Sequence, residues 1–194
     1  MKLTSDYRRV RALFNTPLEQ EVEFKKDFSD TVTTRFEVGP FTYVVEFDPE
    51  NDRGTLMRVA FRLDHINVTG EELVQMMSKV KSGHLKNRLF LNPEREEPVS
   101  LEEAEKVKED ILTYFPYDEL EITGPYVLKI FGMVLNIVKD YVKRHPVGCI
   151  VFSAEPEARA RIYQRMMKSA FPRASIRLYP SEYGAGTEIK VCFI

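Results

Sequence analysis

Between residues 31 and 63 apolar and polar side chains alternate in three runs, TVTTRFEV (31–38), FTYVVEF (41–47) and TLMRVAFRL (55–63). β-Branched and aromatic residues dominate them, and a period of two is the mark of a strand with one face turned to a core. Gly39-Pro40 and the stretch DPENDRG separate the runs with turn chemistry, so the pattern predicts a meander of adjacent antiparallel strands. Ahead of it, Tyr7, Val10, Leu13 and Phe14 recur at helical spacing, predicting a short amphipathic helix over 5–15 that Ser5 or Asp6 caps and Pro17 ends.

The period then changes. EELVQMMSKVKSG reads as a helix closed by Gly83, and LEEAEKVKEDILTYF as a second, with Ser100 and Glu103 spaced as a capping box. The polar, proline-bearing segment HLKNRLFLNPEREEPVS joins them, and residues 67–118 together read as a helical insertion within a single domain of residues 1–194. Met76, Met77 and Val80 fall on one side of the first helix, where they either pack on the sheet or face a partner.

From residue 119 the pattern is β-α-β-α-β-β. ELEIT predicts a short strand. The next helix carries Val127, Ile130, Phe131, Val134, Val138 and Tyr141 in a stripe widened by Leu128, Leu135 and Ile137, which predicts deep burial. VGCIVFSA, bounded by Pro146 and Pro156, predicts a central strand covered on both faces. A further helix, with Pro156 near its start, has Ala158, Ile162, Met166 and Ala170 spaced by four, and SIRLYP and TEIKVCFI flank the glycine-bearing loop SEYGAG as a terminal hairpin.

Composition narrows the chemistry. A 43% hydrophobic, 30% charged chain is that of an ordinary globular domain, and a net charge of −2 gives no field for non-specific nucleic-acid binding. Charge is nonetheless uneven: acidic residues crowd 94–121, whereas Arg159, Arg161, Arg165, Lys168, Arg173 and Arg177 make a basic stretch. Two cysteines, Cys149 and Cys192, each sit inside an apolar strand-like run and read as buried thiols, neither a disulfide framework nor a metal site. His65, His84 and His145 have no ligand spacing, which argues against a metal, and His145 with Lys143 and Arg144 suits a helix C-terminus. Ser153 reads as a capping hydroxyl, since FSAEP lacks the glycine elbow of a nucleophile. No leader-like segment or run long enough to span a bilayer is seen, and a cytoplasmic location is expected.

EITG (121–124), the helix from Tyr126, the strand GCIVFSA and EPEARARIYQRMMKSAF resemble, in this order, the conserved half of the GNAT acyltransferase superfamily over residues 119–194. The last segment is similar to the family's N-x-x-A-x-x-L-Y-x-K-x-G-F, with Ala158, Ile162, Tyr163, Arg165 and Phe171 in corresponding places. The series also resembles small uncharacterised bacteriophage proteins. The resemblance implies a mixed α/β (α+β) fold, with a mostly antiparallel sheet flanked by helices. It implies an acyl-CoA, such as acetyl-CoA, held by its pyrophosphate on backbone N–H groups of Ile122, Thr123, Gly124, Tyr126 and Val127. Tyr163 would then return a proton to the departing thiolate. A base for the acceptor amine would be a strand carboxylate, for which Glu46, Glu121 and Glu37 qualify by alternation.

The residues also have plainer readings. One glycine of the usual R/Q-x-x-G-x-G/A cradle is kept, and Pro125 has no N–H to give; Thr123 or Gly124 capping a helix that Pro125 begins accounts for the same stretch. Tyr163 suits a packing role with a wet tip. The expectation is therefore a GNAT-like, phage-type accessory protein with a degenerate cofactor loop that binds another macromolecule, in a host-takeover, anti-defence or virion role. A protein is the expected partner, nucleic acid is not, and exposed terminal strands offer an edge for a homodimer. The alternative is an active acyl-CoA-dependent N-acyltransferase.

Overall fold

The computed structural model describes residues 22–78, 100–114, 126–154, 157–181 and 186–193. The three alternating runs form β2 (Val32–Val38), β3 (Phe41–Pro49) and β4 (Leu56–Ile66), preceded by the short β1 (Lys25–Lys26). With β5 (Cys149–Ala154), β6 (Ser175–Pro180) and β7 (Thr187–Cys192) they make a seven-stranded sheet in the order β1-β2-β3-β4-β5-β7-β6. The sheet is mixed: β1 with β2, β5 with β7 and β6 with β7 run antiparallel, while β4 and β5 are parallel. Among the described residues four helices accompany it, α1 (Gly70–Ser78), α2 (Leu101–Tyr114), α3 (Val127–Arg144) and α4 (Glu157–Ala170). The fold is thus α+β on a mostly antiparallel sheet. The predicted helix at 5–15, the connection at 84–99, the stop at Gly83 and the strand at 119–123 lie outside the described residues.

Contacts divide the chain into two compact units. The first holds the described residues up to Arg35, those from Val45 to Phe61 and those from Phe131 onward; the second holds Phe36–Val44 and the described part of Arg62–Ile130.

In the first unit, alternation sends Val45, Phe47, Met57, Val59, Ile150, Phe152, Ile189 and Val191 to one face of the sheet, and all are buried. α3 lies on that face, its wide apolar stripe from Phe131 to Tyr141 buried as the spacing predicts, with Phe47 and Tyr141 stacked at 3.8 Å. Each large side chain removed from water in this way contributes about 1.5–3 kcal/mol. α4 covers the same face, and among its described side chains the buried ones are Ala160, Tyr163, Met166 and Met167. Of the predicted series Met166 is buried and Ala170 is half-buried, while the side chains of Ala158 and Ile162 lie outside the described set.

The other face of the same strands carries Arg58, Cys149, Val151, Ser153, Glu188, Lys190 and Cys192. β5 is therefore not sealed on both faces as its apolar run suggests: Val151 is buried there, but Ser153 is exposed. Cys149 and Cys192 are also not separate thiols. They stand directly opposite in the β5/β7 register with Cα atoms 4.1 Å apart, and they form a disulfide. The Phe193 amide donates to Gly148 O at 2.8 Å, so the next rung inward, where the cysteines sit, is a non-hydrogen-bonded pair, the rung at which antiparallel strands bring side chains closest.

The second unit is built around the helix pair and the end of the β2–β3 connection. Phe36 stacks on Tyr43 at 5.5 Å, and Phe41, Leu63, Ile66, Leu73, Ala104 and Ile111 are buried. The capping box at α2 is formed as read: Ser100 N donates to Glu103 Oε2 at 2.9 Å, and Glu103 N to Ser100 Oγ at 3.3 Å. α1 repeats the device with Thr69 and Glu72 at 3.0 and 3.2 Å. At Gly70 an added Cβ would lie 2.4 Å from the Ala104 carbonyl carbon, so only glycine lets α1 begin against the backbone of α2.

Candidate functional site

Tyr163 is the residue on which the acyl-transfer reading depends. It lies on α4, 8% exposed, with its ring edge-on to Phe131 at 5.2 Å, and Phe131 in turn meets Phe61 at 5.8 Å. Phe152, Val134, Leu135, Met166 and Met167 complete the surroundings, and the space they leave is a cavity of about 20 Å³. That is room for about one water molecule and not for an acyl chain.

β4 and β5 meet at Leu56–Cys149, Met57–Ile150 and Arg58–Val151, and β4 runs on to Ile66 beyond that short ladder. Phe61 and Phe152, past its end, both line the Tyr163 cavity, so aromatic side chains occupy the ground where the two strands separate.

Glu46 is half-buried on β3 between Val45 and Phe47. Since Phe47 stacks on α3 and Tyr163 also meets α3, alternation turns Glu46 to the face of the sheet opposite Tyr163. The two cannot act on one bound substrate from these positions. Glu37, between the buried Phe36 and Val38, is exposed in the second unit. Glu121 and the cradle residues Ile122, Thr123 and Gly124 lie outside the described residues, as does the side chain of Val127, which opens α3. Tyr126 is described: its ring is edge-on to Phe41 at 5.9 Å and lies over Gly39, where an added Cβ would be 2.6 Å from its Cε1. Gly39 has a φ of +60°, so the turn and the close approach both need glycine.

The face opposite Tyr163 holds a constellation that no local motif announces. Arg58 Nε is hydrogen-bonded to Glu50, and its Nη1 donates to Ser153 Oγ and to Glu188 Oε1, each at 3.0 Å. The side chains of Arg58, Glu50 and Glu188 are 22%, 26% and 14% exposed. Burial alone would lower the Arg58 pKa, but the hydrogen bonds and charges of Glu50 and Glu188 outweigh it and hold the guanidinium above its ordinary value. Ser153 is thus a cross-strand acceptor for Arg58. Three strands are clamped by one cation, an arrangement that positions a sheet and brings no nucleophile to a substrate.

Among the described residues no group of three or more His, Cys, Asp and Glu side chains could hold a metal ion, and no helix is long and apolar enough to cross a membrane. No protein-family model, curated protein or solved structure matches the chain.

Proposed function

We propose that the chain is a GNAT-like domain that acts by binding another macromolecule and not by acyl transfer. The observation that carries this is the placement of Tyr163 and Glu46 on opposite faces of the sheet, with Tyr163 closed in by aromatic and aliphatic side chains. A transferase needs its acid, its base and its cofactor cradle around one reacting centre. The likeness to the GNAT layout is supported by the run of α3, β5, α4 and the β6–β7 hairpin in that order.

A protein is the partner the surface suits best. Phe28 stands fully exposed at the turn between β1 and β2, a large apolar side chain of the kind that anchors interfaces. Arg165, Lys168, Arg173 and Arg177 are exposed along α4 and into β6, a basic strip that an acidic protein surface would complement. β6 closes the sheet order and offers a strand edge for a second copy. A phage-type accessory role in a host cytoplasm, whether in takeover, defence evasion or the virion, is compatible with all of these.

Calorimetric titration with acetyl-CoA, paired with a thermal-shift assay, tests the reading. A ligand at 100 times its Kd stabilises a native protein by about 2.7 kcal/mol. No heat and no shift are expected, followed by recovery of a partner from host extract that Phe28→Ala releases. Micromolar binding of acetyl-CoA would overturn the proposal in favour of the acyl-CoA-dependent N-acyltransferase, and Tyr163→Phe should then sharply reduce turnover.

A further inference from the structure

β6 ends the sheet order, and among the described residues no strand pairs with its outer edge. Which backbone groups stand on that edge follows from the hairpin. Ser181 N donates to Gly186 O at 2.9 Å, which makes Ser181 and Gly186 a hydrogen-bonded rung of the β6–β7 ladder. Rungs of that kind recur every second residue, so Tyr179–Glu188, Arg177–Lys190 and Ser175–Cys192 are the others in register. Ile176 and Leu178 therefore turn their N–H and C=O groups away from β7, two donors and two acceptors in a row on the open side. Pro180 is next in that row and has no N–H, so the run of donors stops there.

The two faces of this edge differ in chemistry. On the side where α4 lies, Ile189 and Val191 of β7 are fully buried, whereas their register partners Leu178 and Ile176 are only half-buried. The apolar layer thus runs out to the edge without being fully covered there. On the other side Arg177 is exposed and stands directly opposite Lys190. Like charges opposite one another cost a sheet stability. Glu188, the next residue of β7 on that side, is bound by Arg58. Because Arg177 directs its own N–H and C=O to β7, a residue laid against it from outside would form a non-hydrogen-bonded rung, where facing side chains come closest.

We infer that the β6 edge takes up an extended segment of another protein whose side chains run apolar, acidic, apolar. The segment pairs antiparallel with β6. Its two apolar residues stand opposite Leu178 and Ile176, exchange backbone hydrogen bonds with them and extend the apolar layer beside α4. The carboxylate between them faces Arg177, with Lys190 one strand further in. A second copy of β6 centred on the same residue would set Arg177 against Arg177, so the charge on this edge selects an acidic segment over another copy of the strand. The inference rests on the reading that the chain acts by binding a protein, and it names the chemistry recognised at one edge of the first unit.

The probe is the blocked peptide Thr-Val-Glu-Val-Thr, with Thr-Val-Lys-Val-Thr and a form of the first N-methylated at both valines as controls. In the isotope-labelled full chain, the Ile176 and Leu178 amides are expected to shift saturably with the glutamate peptide, at a Kd below about 1 mM, and to exchange with solvent more slowly once it is bound. The lysine peptide should bind about tenfold more weakly. The N-methylated peptide, which has no valine N–H to donate, should not saturate. Arg177→Glu changes an exposed side chain and keeps the backbone ladder to β7. It should reverse the preference, so that the lysine peptide binds the more tightly. No saturable shift at Ile176 and Leu178, saturation by the N-methylated peptide, or equal affinity for the two charged peptides in wild type and Arg177→Glu would each overturn the inference. So would a concentration-dependent dimer in which these two amides are protected without peptide, since that gives the edge to a second copy. Failure on these counts leaves the release of a partner by Phe28→Ala standing, whereas acetyl-CoA binding would sink the functional reading and leave these amides unmoved.

Discussion

Without the Arg58 guanidinium, Glu50 and Glu188 would face the same half-buried ground with no cation between them, and Ser153 would lose its donor. Arg58→Met is therefore expected to cost about 1–3 kcal/mol, read as a lower urea midpoint at unchanged slope. Tyr141 gives a second test at this scale, because burial holds its phenol above the ordinary value. The folded state favours the protonated phenol, so the contribution is complete below a pH of about 10 and is lost as pH rises through the higher folded value. In an absorbance titration of the nine tyrosines, Tyr141→Phe should remove one phenol from the portion that ionises above the ordinary value. Neither feature has a local signature. Arg58 reaches partners 95 and 130 residues away, and nothing in the run TLMRVAFRL marks one outward arginine as the centre of a clamp.

At the scale of elements the sequence is far more legible, because period and capping are local properties. β2, β3 and β4 fall on the three alternating runs, and the Ser100–Glu103 box forms at the start of α2. Ser100→Ala should cost about 1 kcal/mol, seen as faster amide exchange in the first turn of α2. Gly70→Ala is the harsher change. Its methyl would meet the Ala104 backbone at 2.4 Å, and it would disturb the 2.6 Å hydrogen bond from Gly70 N to Glu105 Oε1. Separation of α1 from α2 is expected, with a loss of about 1–3 kcal/mol in thermal denaturation. The buried face of α4 is harder to place from spacing, because Ala160, Tyr163 and Met167 fall outside the series Ala158, Ile162, Met166 and Ala170 and only the position of the sheet shows them buried.

For the whole molecule, what escapes sequence is pairing between distant strands. β7 lies between β5 and β6, and that order is what carries Cys192 across from Cys149; each cysteine alone looks like an apolar strand residue. The candidate site suffers the same loss, since alternation proposes Glu46 as a base but only the packing of α3 and α4 shows that Tyr163 lies on the other face. The disulfide closes a sequence separation of 43 residues, for which chain-entropy reasoning gives a stabilisation of about 4 kcal/mol. Unfolding in urea with and without a thiol reductant should differ by about that amount, and Cys149→Ser should abolish the difference. The same cross-link has a mechanical consequence. Stretched from its two ends, the oxidised chain would surrender its contour in two instalments: the segment between the cysteines, about 150 Å when fully extended, stays locked behind the sulfur bridge under load and is released only when reductant enters the pulling cell.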